Sequence, residues 1–180
     1  YSSLNPRMRV GSIVGEPLVI HRKQTKSERR SEVESLLERV GLEPAAFDRY
    51  PHEFSGGQRQ RIGIALALAT RPKFLVLDEP VSALDVSIQT QILSLLDEIR
   101  TKMNLSMVFI THDLRVAAQV CDRLAVMRYG EIVETGATAD IFDYNKIDPF
   151  YKKEYGKYAM LFITYIPSST FLFIWLSCIL

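Results

Sequence analysis

This sequence has few cysteines and tryptophans, and its net charge is close to zero. Its 180 residues include two cysteines, Cys121 and Cys178, one tryptophan and a formal net charge of +1. Two cysteines far apart in the chain exclude a disulfide framework and a cysteine-rich metal site, and they fit a reducing cytosol. A charge so close to zero lacks the basic footprint of a nucleic-acid-binding protein. We therefore expect no nucleic-acid partner.

Long uncharged runs are absent until the C-terminal end. Residues Met160 to Leu180 include no charged side chain, and Pro167 to Thr170 interrupt them. This length could cross a bilayer, with three lysines flanking its cytoplasmic end, namely Lys152, Lys153 and Lys157. Three interpretations of the apolar tail at residues 154–180 stay open. It is a membrane anchor, an extension that packs on the core, or a junction or frame error.

Before this tail, helical and strand-like apolar patterns alternate along the chain. We predict a loop at residues 1–20 and helices at residues 27–40, 44–50, 55–69, 86–102, 114–120 and 138–142. We predict strands at residues 73–77, 106–110, 123–127 and 131–134, the last two joined by a turn at Tyr129-Gly130. The first two strands are continuous apolar runs, which is typical of buried parallel strands. The alternation predicts an α/β core around a mainly parallel sheet.

A phosphate-binding pattern begins at Ser55. Ser55, Gly56, Gly57 and Gln58 directly precede a helix with periodic apolar residues. Glycines let backbone amides approach an anion closely. A helix N-terminus offers unpaired N–H groups and the positive end of a dipole, which suits a phosphate group. The alternative is a serine-capped helix with no ligand.

Two carboxylates close the strand that follows. The apolar run Phe74 to Leu77 leads directly into Asp78 and Glu79. Two carboxylates at a strand end suit a metal ion and a proton acceptor. Together with the phosphate-binding pattern, they predict part of a nucleotide-triphosphate hydrolase.

Four ordered motifs give the chain a resemblance to the ATPase subunits of ABC transporters. Phe54 to Gln58 resembles the family signature, and Leu75 to Glu79 resembles Walker B with the catalytic glutamate. Ser82-Ala83-Leu84-Asp85 resembles the D-loop, and Phe109 to Asp113 resembles the switch-histidine segment. Four segments resemble the oligopeptide and dipeptide importer branch: Tyr1 to Met8, Glu16 to Leu18, Pro51 to Phe54 and Pro80 to Ser87.

The resemblance covers residues 1–153 and implies their organisation. It implies a P-loop NTPase-like core, with a helical signature subdomain at about residues 20–70 and a Walker B to switch-histidine core at residues 71–143. No G-x-x-x-x-G-K-[ST] pattern occurs, so no loop is present to cradle the α- and β-phosphates. We interpret the chain as an N-terminally truncated fragment that lacks the P-loop lobe, and we expect it to be inactive alone. The strand at residues 74–77 is then expected to keep an unpaired edge, unless its neighbours close the gap.

The resemblance also implies roles for the motif residues. ATP would lie between two such subunits, and the signature of one would contact the γ-phosphate of the nucleotide held by the other. Ser55 would donate its hydroxyl and Gly57 its amide, beside Gly56 and Gln58. Asp78 would hold Mg²⁺ through water, Glu79 would orient and deprotonate the attacking water, and His112 would contact the γ-phosphate. Within the D-loop, Asp85 would reach across the dimer, cap a helix, or do both.

The function implied is that of an ATP-binding and ATP-hydrolysing subunit of an ABC importer for peptides or similar solutes. Such a subunit would use ATP and Mg²⁺ and would pair with a second ABC ATPase subunit. It would dock on two transmembrane permease subunits at the cytoplasmic face of the cell membrane, and a solute-binding protein would act indirectly. Two alternatives stay open: a soluble ABC ATPase of DNA repair or translation, and an inactive gene fragment.

Overall fold

The computed structural model describes residues 4–21, 24–142 and 160–164. The helices are α1 (Val10–His21), α2 (Lys26–Arg39), α3 (Gly56–Leu68), α4 (Val86–Met103), α5 (Leu114–Val120) and α6 (Thr138–Ile141). The strands are β1 (Phe74–Asp78), β2 (Ser106–Thr111), β3 (Arg123–Arg128), β4 (Glu131–Ala137) and β5 (Met160–Thr164). The lysines expected to flank a membrane segment lie outside the described residues.

The chain forms two compact units. The first comprises Tyr1–Pro72 and Ala83–Leu96, and the second comprises Lys73–Ser82 and Asp97–Leu180. The first unit therefore holds α1, α2, α3 and most of α4. The second holds the sheet together with the end of α4.

Helix α1 contradicts the loop predicted for residues 1–20. Pro17 lies inside the helix, although a proline in a helix interior costs about 3 kcal/mol. Burial overrides this propensity, because one face of α1 is enclosed at helical spacing: Val10, Ile13, Val14 and Leu18. Gly11 is needed because a Cβ there would lie 2.6 Å from the Phe47 ring. The prediction was wrong because burial of this apolar face outweighs the local cost of proline and glycine in the helix.

Helix α2 confirms the helix predicted at residues 27–40. Thr25 caps it: its hydroxyl oxygen accepts the Glu28 amide at 3.3 Å, and the Glu28 carboxylate accepts the Thr25 amide at 2.8 Å. This reciprocal pair is a capping box. The apolar face is buried as the spacing predicts, at Val33, Leu36 and Leu37. The helix predicted at residues 44–50 is instead a short 3₁₀ helix at Pro44–Asp48, and a second 3₁₀ turn follows it at Pro51–Glu53.

The sheet of the second unit has the strand order β1-β2-β5-β3-β4. Strands β1 and β2 pair in parallel, from Phe74 opposite Ser106 to Asp78 opposite Ile110. Strand β5 pairs antiparallel with both β2 and β3. Strands β1, β2 and β3 therefore run in one direction, while β4 and β5 run in the other. The α/β class is confirmed, and the predicted parallel arrangement holds for three of the five described strands.

Strand β5 bears on the interpretation of the apolar tail. Met160–Thr164 lies between β2 and β3 as part of the sheet, so an extension that packs on the core describes these five residues. A membrane segment from Met160 to Leu180 is not supported: among the described residues, no helix is long and apolar enough to span a bilayer. Residues 165–180 lie outside the described part of the chain.

Strand β1 lies at one edge of the described sheet, as the expectation of an unpaired strand edge requires. Leu75 and Leu77 are buried, but Phe74 is 40% exposed and Val76 is 55% exposed. The prediction of burial on both faces is therefore wrong for β1. It holds better for β2, where Met107, Val108 and Phe109 are all buried. The difference arises because the described residues cover one face of β1 only.

Candidate nucleotide site

The signature segment, Ser55 to Gln58, forms the start of α3. The Ser55 hydroxyl oxygen accepts the Gln58 amide at 3.3 Å, and the Gln58 side-chain oxygen accepts the Ser55 amide at 3.0 Å. This capping box fixes the entry into α3 and uses two backbone donors. Within the described residues, the amides of Gly56 and Gly57 have no hydrogen-bond acceptor. The helix start therefore presents unpaired N–H groups, as an anion site requires.

Gly57 has a second structural reason to be glycine. A Cβ at residue 57 would lie 2.4 Å from Cγ2 of Ile88 in α4. Atoms attract best at about 3.5–4.0 Å, so any larger residue would push the two helices apart. The close approach of α3 and α4 within the first unit depends on this glycine.

Two arginines of α3 donate hydrogen bonds to backbone carbonyl groups. The Arg59 guanidinium donates to the Phe54 carbonyl. The Arg61 guanidinium donates to the Val40 carbonyl at 2.7 Å. Both acceptors are backbone oxygens outside α3. The sequence offers no signal for such contacts, because the spacing of residues does not reveal which carbonyls lack partners.

In the second unit, β1 ends in the two predicted carboxylates. Glu79 adopts a left-handed backbone conformation with φ of 44°, which costs about 1–3 kcal/mol for a non-glycine residue. Its amide donates to the Ile110 carbonyl of β2 at 2.9 Å. Its carboxylate lies 2.9 Å from Nδ1 of His112, just after β2. The sheet thus brings together Glu79 and His112, which are 33 residues apart in sequence.

The contact with His112 favours the ionised form of Glu79. The hydrogen bond from His112 lowers the pKa of the Glu79 carboxyl group, and a weaker contribution comes from Ser82. Both side chains are about half exposed, so solvent and substrate can reach the pair. At neutral pH the carboxylate is unprotonated and can accept a proton.

Asp78 fits the proposed magnesium ligand in one respect. Its carboxylate is exposed and makes no hydrogen bond or ion pair with the described part of the chain. No group of three or more potential metal ligands occurs among the described residues. Mg²⁺ is usually held by one or two carboxylates, several waters and substrate phosphates, so one free carboxylate at a strand end is compatible with it.

The D-loop residues are divided between the two units, with Ser82 in the second and Ala83 to Asp85 in the first. In the second unit, the Ser82 hydroxyl donates to the Glu79 carbonyl at 3.2 Å, which supports the left-handed backbone there. In the first unit, Asp85 accepts the Ile88 amide at 3.0 Å. Asp85 therefore caps α4, which is one of the roles expected for it. Ala83 is exposed and Leu84 half-buried.

The family follows from comparison with known proteins. The family model described as "ABC transporter" matches residues 1–82. This match and the relatives described next make the chain similar to the ATPase subunits of ABC transporters.

Three relatives show which branch the chain resembles. It is 50% identical over 153 residues to the oligopeptide transport ATP-binding protein OppF of Bacillus subtilis, covering 84% of this chain and 50% of that protein. It is 50% identical over 152 residues to the dipeptide transport ATP-binding protein DppF of Haemophilus influenzae, covering 84% and 46%. It is 51% identical over 152 residues to the peptidoglycan transport ATP-binding protein YejF of Agrobacterium fabrum, covering 81% and 28%. The chain spans half or less of the length of these relatives.

Solved structures confirm the fold. The cbiO1 subunit from Clostridium perfringens matches with a TM-score of 0.69 at 29% identity, covering 84% of this chain and 58% of that one. The ABC transporter cassette MJ0796, solved as a dimer, matches with a TM-score of 0.66 at 30% identity, covering 75% and 59%. A post-hydrolysis dimer of MJ0796 with ADP and Pi bound matches with a TM-score of 0.67 at 29% identity, covering 77% and 61%.

Proposed function

We propose that this chain is part of an ATP-hydrolysing subunit of an ABC importer for peptides or similar solutes. The subunit pairs with a second ATPase subunit and docks on two permease subunits at the cytoplasmic face of the membrane. The similarity to oligopeptide and dipeptide transport proteins supports the solute class. Similarity to a peptidoglycan transport protein is the reason to keep the solute class broad.

The paired side chains of Glu79 and His112 are the observation that carries the proposal. A general base must be ionised and within hydrogen-bond reach of the proton that it takes. The hydrogen bond from His112 lowers the pKa of Glu79, and both side chains stay accessible. Glu79 thus acts as the base that orients and deprotonates water, while His112 holds the carboxylate and contacts the γ-phosphate.

The signature segment acts on the nucleotide of the partner subunit. Because the Ser55 hydroxyl oxygen accepts a bond from the Gln58 amide, its own O–H remains available to donate to a phosphate oxygen. The unpaired amides at the start of α3 add further donors. These groups favour negative charge, since they lie at the positive end of the helix dipole.

Mg²⁺ supplies charge neutralisation of the phosphates when it is bound. Asp78 would hold it, through water, because its carboxylate has no partner within the described residues. The matching phosphate-binding loop does not occur in the 180 residues. We therefore also propose that this chain alone does not hydrolyse ATP. In the experiments below, the full-length subunit means a protein that contains both this chain and such a phosphate-binding loop.

Replacing Glu79 with Gln tests the proposed function. In the full-length subunit, turnover should fall by about 10²–10⁴-fold, which is the usual contribution of a general base, while ATP binding persists. Glu98→Gln is the matched control, because Glu98 is an exposed side chain of α4 paired with Lys102. Phosphate release and nucleotide binding are measured for both variants and for the 180-residue chain. Equal loss of binding and turnover in Glu79→Gln, or steady ATP hydrolysis by the 180-residue chain, would contradict the proposal.

A further inference from the structure

We propose that Arg61 is the positioning residue of the signature segment, which it aligns by tying α3 to the end of α2. This inference rests on the proposed function, because it concerns how Ser55 and the free amides meet a phosphate. Arg61 itself does not touch the nucleotide. It lies on α3 three residues after Gln58, one helical turn behind the phosphate-binding end.

The contacts of Arg61 join three helices of the first unit. From α3, Nη1 donates to the Val40 carbonyl at 2.7 Å. Nη2 lies 3.5 Å from the side-chain oxygen of Gln91 in α4. The first bond is short and partly buried, whereas the second is long and exposed. We therefore assign the alignment of α3 chiefly to the bond with Val40.

The Val40 carbonyl is a favourable acceptor for a cation. Val40 is the C-cap of α2, where carbonyl groups lack helical partners and the helix dipole is negative. A guanidinium donating there makes a charge-assisted hydrogen bond, which is roughly twice as strong as a neutral one. Rotation or sliding of α3 would break this bond, so the bond favours one position of the helix.

Gly41 leaves the space that the guanidinium occupies. A Cβ at residue 41 would lie 2.8 Å from Nη1 of Arg61. Its φ of 73° also lies in the left-handed region that favours glycine. Gly41 therefore does more than end α2, because it also lets Arg61 reach the Val40 carbonyl. Substitution of either residue should disturb the same contact.

Misalignment of α3 should appear in the ATP dependence of turnover. A displacement of about 1 Å at reacting groups can cost about 100-fold in rate. A weakened phosphate contact also raises the ATP concentration at which the two ATPase subunits close on the nucleotide. Loss of folded protein behaves differently, since it lowers the apparent kcat and leaves KM unchanged. KM for ATP therefore separates a positioning role from a purely structural one.

The test uses the full-length subunit and measures kcat, KM for ATP and the thermal unfolding midpoint. Arg61→Gln and Gly41→Ala should each raise KM about tenfold. The double variant should be no worse than the more severe single one, because both remove one contact. Arg61→Lys keeps one donor and should restore part of the loss. Arg71→Gln is the matched control: it removes an exposed ion pair with Glu32 in the same unit and should leave KM unchanged.

Each result decides the inference. An unchanged KM in folded Arg61→Gln, or additive effects in the double variant, overturns it. If Arg61→Gln does not fold, Gly41→Ala and Arg61→Lys decide in the same way.

Ser55→Arg separates this inference from the proposed function, because a bulky cation at the phosphate should block closure of the two ATPase subunits on ATP. If Ser55→Arg changes neither closure nor turnover, the proposed function fails and the inference fails with it. If Ser55→Arg blocks closure while KM stays normal in both other variants, only the role of Arg61 is refuted.

Discussion

Alanine substitution at two glycines of α3 should change stability in opposite directions. At Gly57 a Cβ would lie 2.4 Å from Cγ2 of Ile88, whereas at Gly63 no atom lies within 4 Å of the added carbon. The helix and the chemical change are the same at both positions. Gly57 lies in the first turn of α3 and Gly63 in its interior, and the space around the added methyl group differs sharply between them.

The magnitudes follow from two opposing effects. Replacing glycine by alanine inside a helix is favourable by about 0.5–1 kcal/mol. An extra methyl group in a packed region costs about 1–3 kcal/mol. Cγ2 of Ile88 is attached to a branched Cβ with restricted χ1 in a helix, so it cannot easily move aside. Gly63→Ala should therefore stabilise the chain by about 0.5–1 kcal/mol, and Gly57→Ala should destabilise it by about 1–2 kcal/mol.

Urea unfolding of the 180-residue chain, followed by circular dichroism, measures both changes. A third variant tests the cause: in an Ile88→Ala background, which lacks Cγ2, the penalty of Gly57→Ala should disappear. The double-mutant cycle isolates this pairwise contribution. Equal stabilisation by Gly57→Ala and Gly63→Ala would refute the close approach of α3 and α4. So would a penalty at residue 57 that persists without the Ile88 side chain.

Three further predictions concern the second unit. His112→Ala should raise the pKa of Glu79 towards its ordinary value. In the unchanged chain, ionised Glu79 adds stability at pH values above its ordinary pKa, and this stability is lost as the pH falls through the lower pKa of the folded state. The variant should show less of this pH-dependent stability. An NMR titration of the Glu79 carboxyl carbon checks this, and an unchanged pKa counts against the contact. Burial, with a smaller effect of Asp122, raises the pKa of Cys121 to about 12, so in a Cys178→Ser background a thiol reagent at mildly alkaline pH should label Cys121 only after unfolding. Fast labelling of the native chain would show that Cys121 is accessible. Removing residues 160–180 should expose the inner edges of β2 and β3 and promote association, and a monodisperse, cooperatively unfolding truncated chain in light scattering would mean that β5 is dispensable.

Local patterns predicted most of the elements. Helix α2 was predicted because its apolar spacing and its glycine stop agree. Strands β1 and β2 were predicted from continuous apolar runs. Helix α1 was missed because Pro17 and two glycines oppose a helix locally, and only packing against other elements overrides them. Such packing cannot be read from a short window of sequence.

The parts of the candidate site differ in the same way. The cap at Ser55 and the carboxylates after β1 were predicted, since each depends on adjacent residues. The bond between Arg61 and the Val40 carbonyl was not, because its two groups are 21 residues apart. Strand β5 was also not predicted. An uncharged segment fits a membrane as well as a sheet, and the choice depends on edges formed by distant strands.

The position of β5 has a consequence for the order of folding during synthesis. The ribosome releases β1 to β4 before Met160–Thr164, yet this segment fills the slot between β2 and β3. At about 5–20 residues per second, the interval between the end of β4 and the start of β5 lasts about one to five seconds. During that time β2 and β3 have open inner edges, which can recruit other chains. The middle of this sheet is therefore the last part to close, and a nascent chain that pauses before Met160 needs protection until it does.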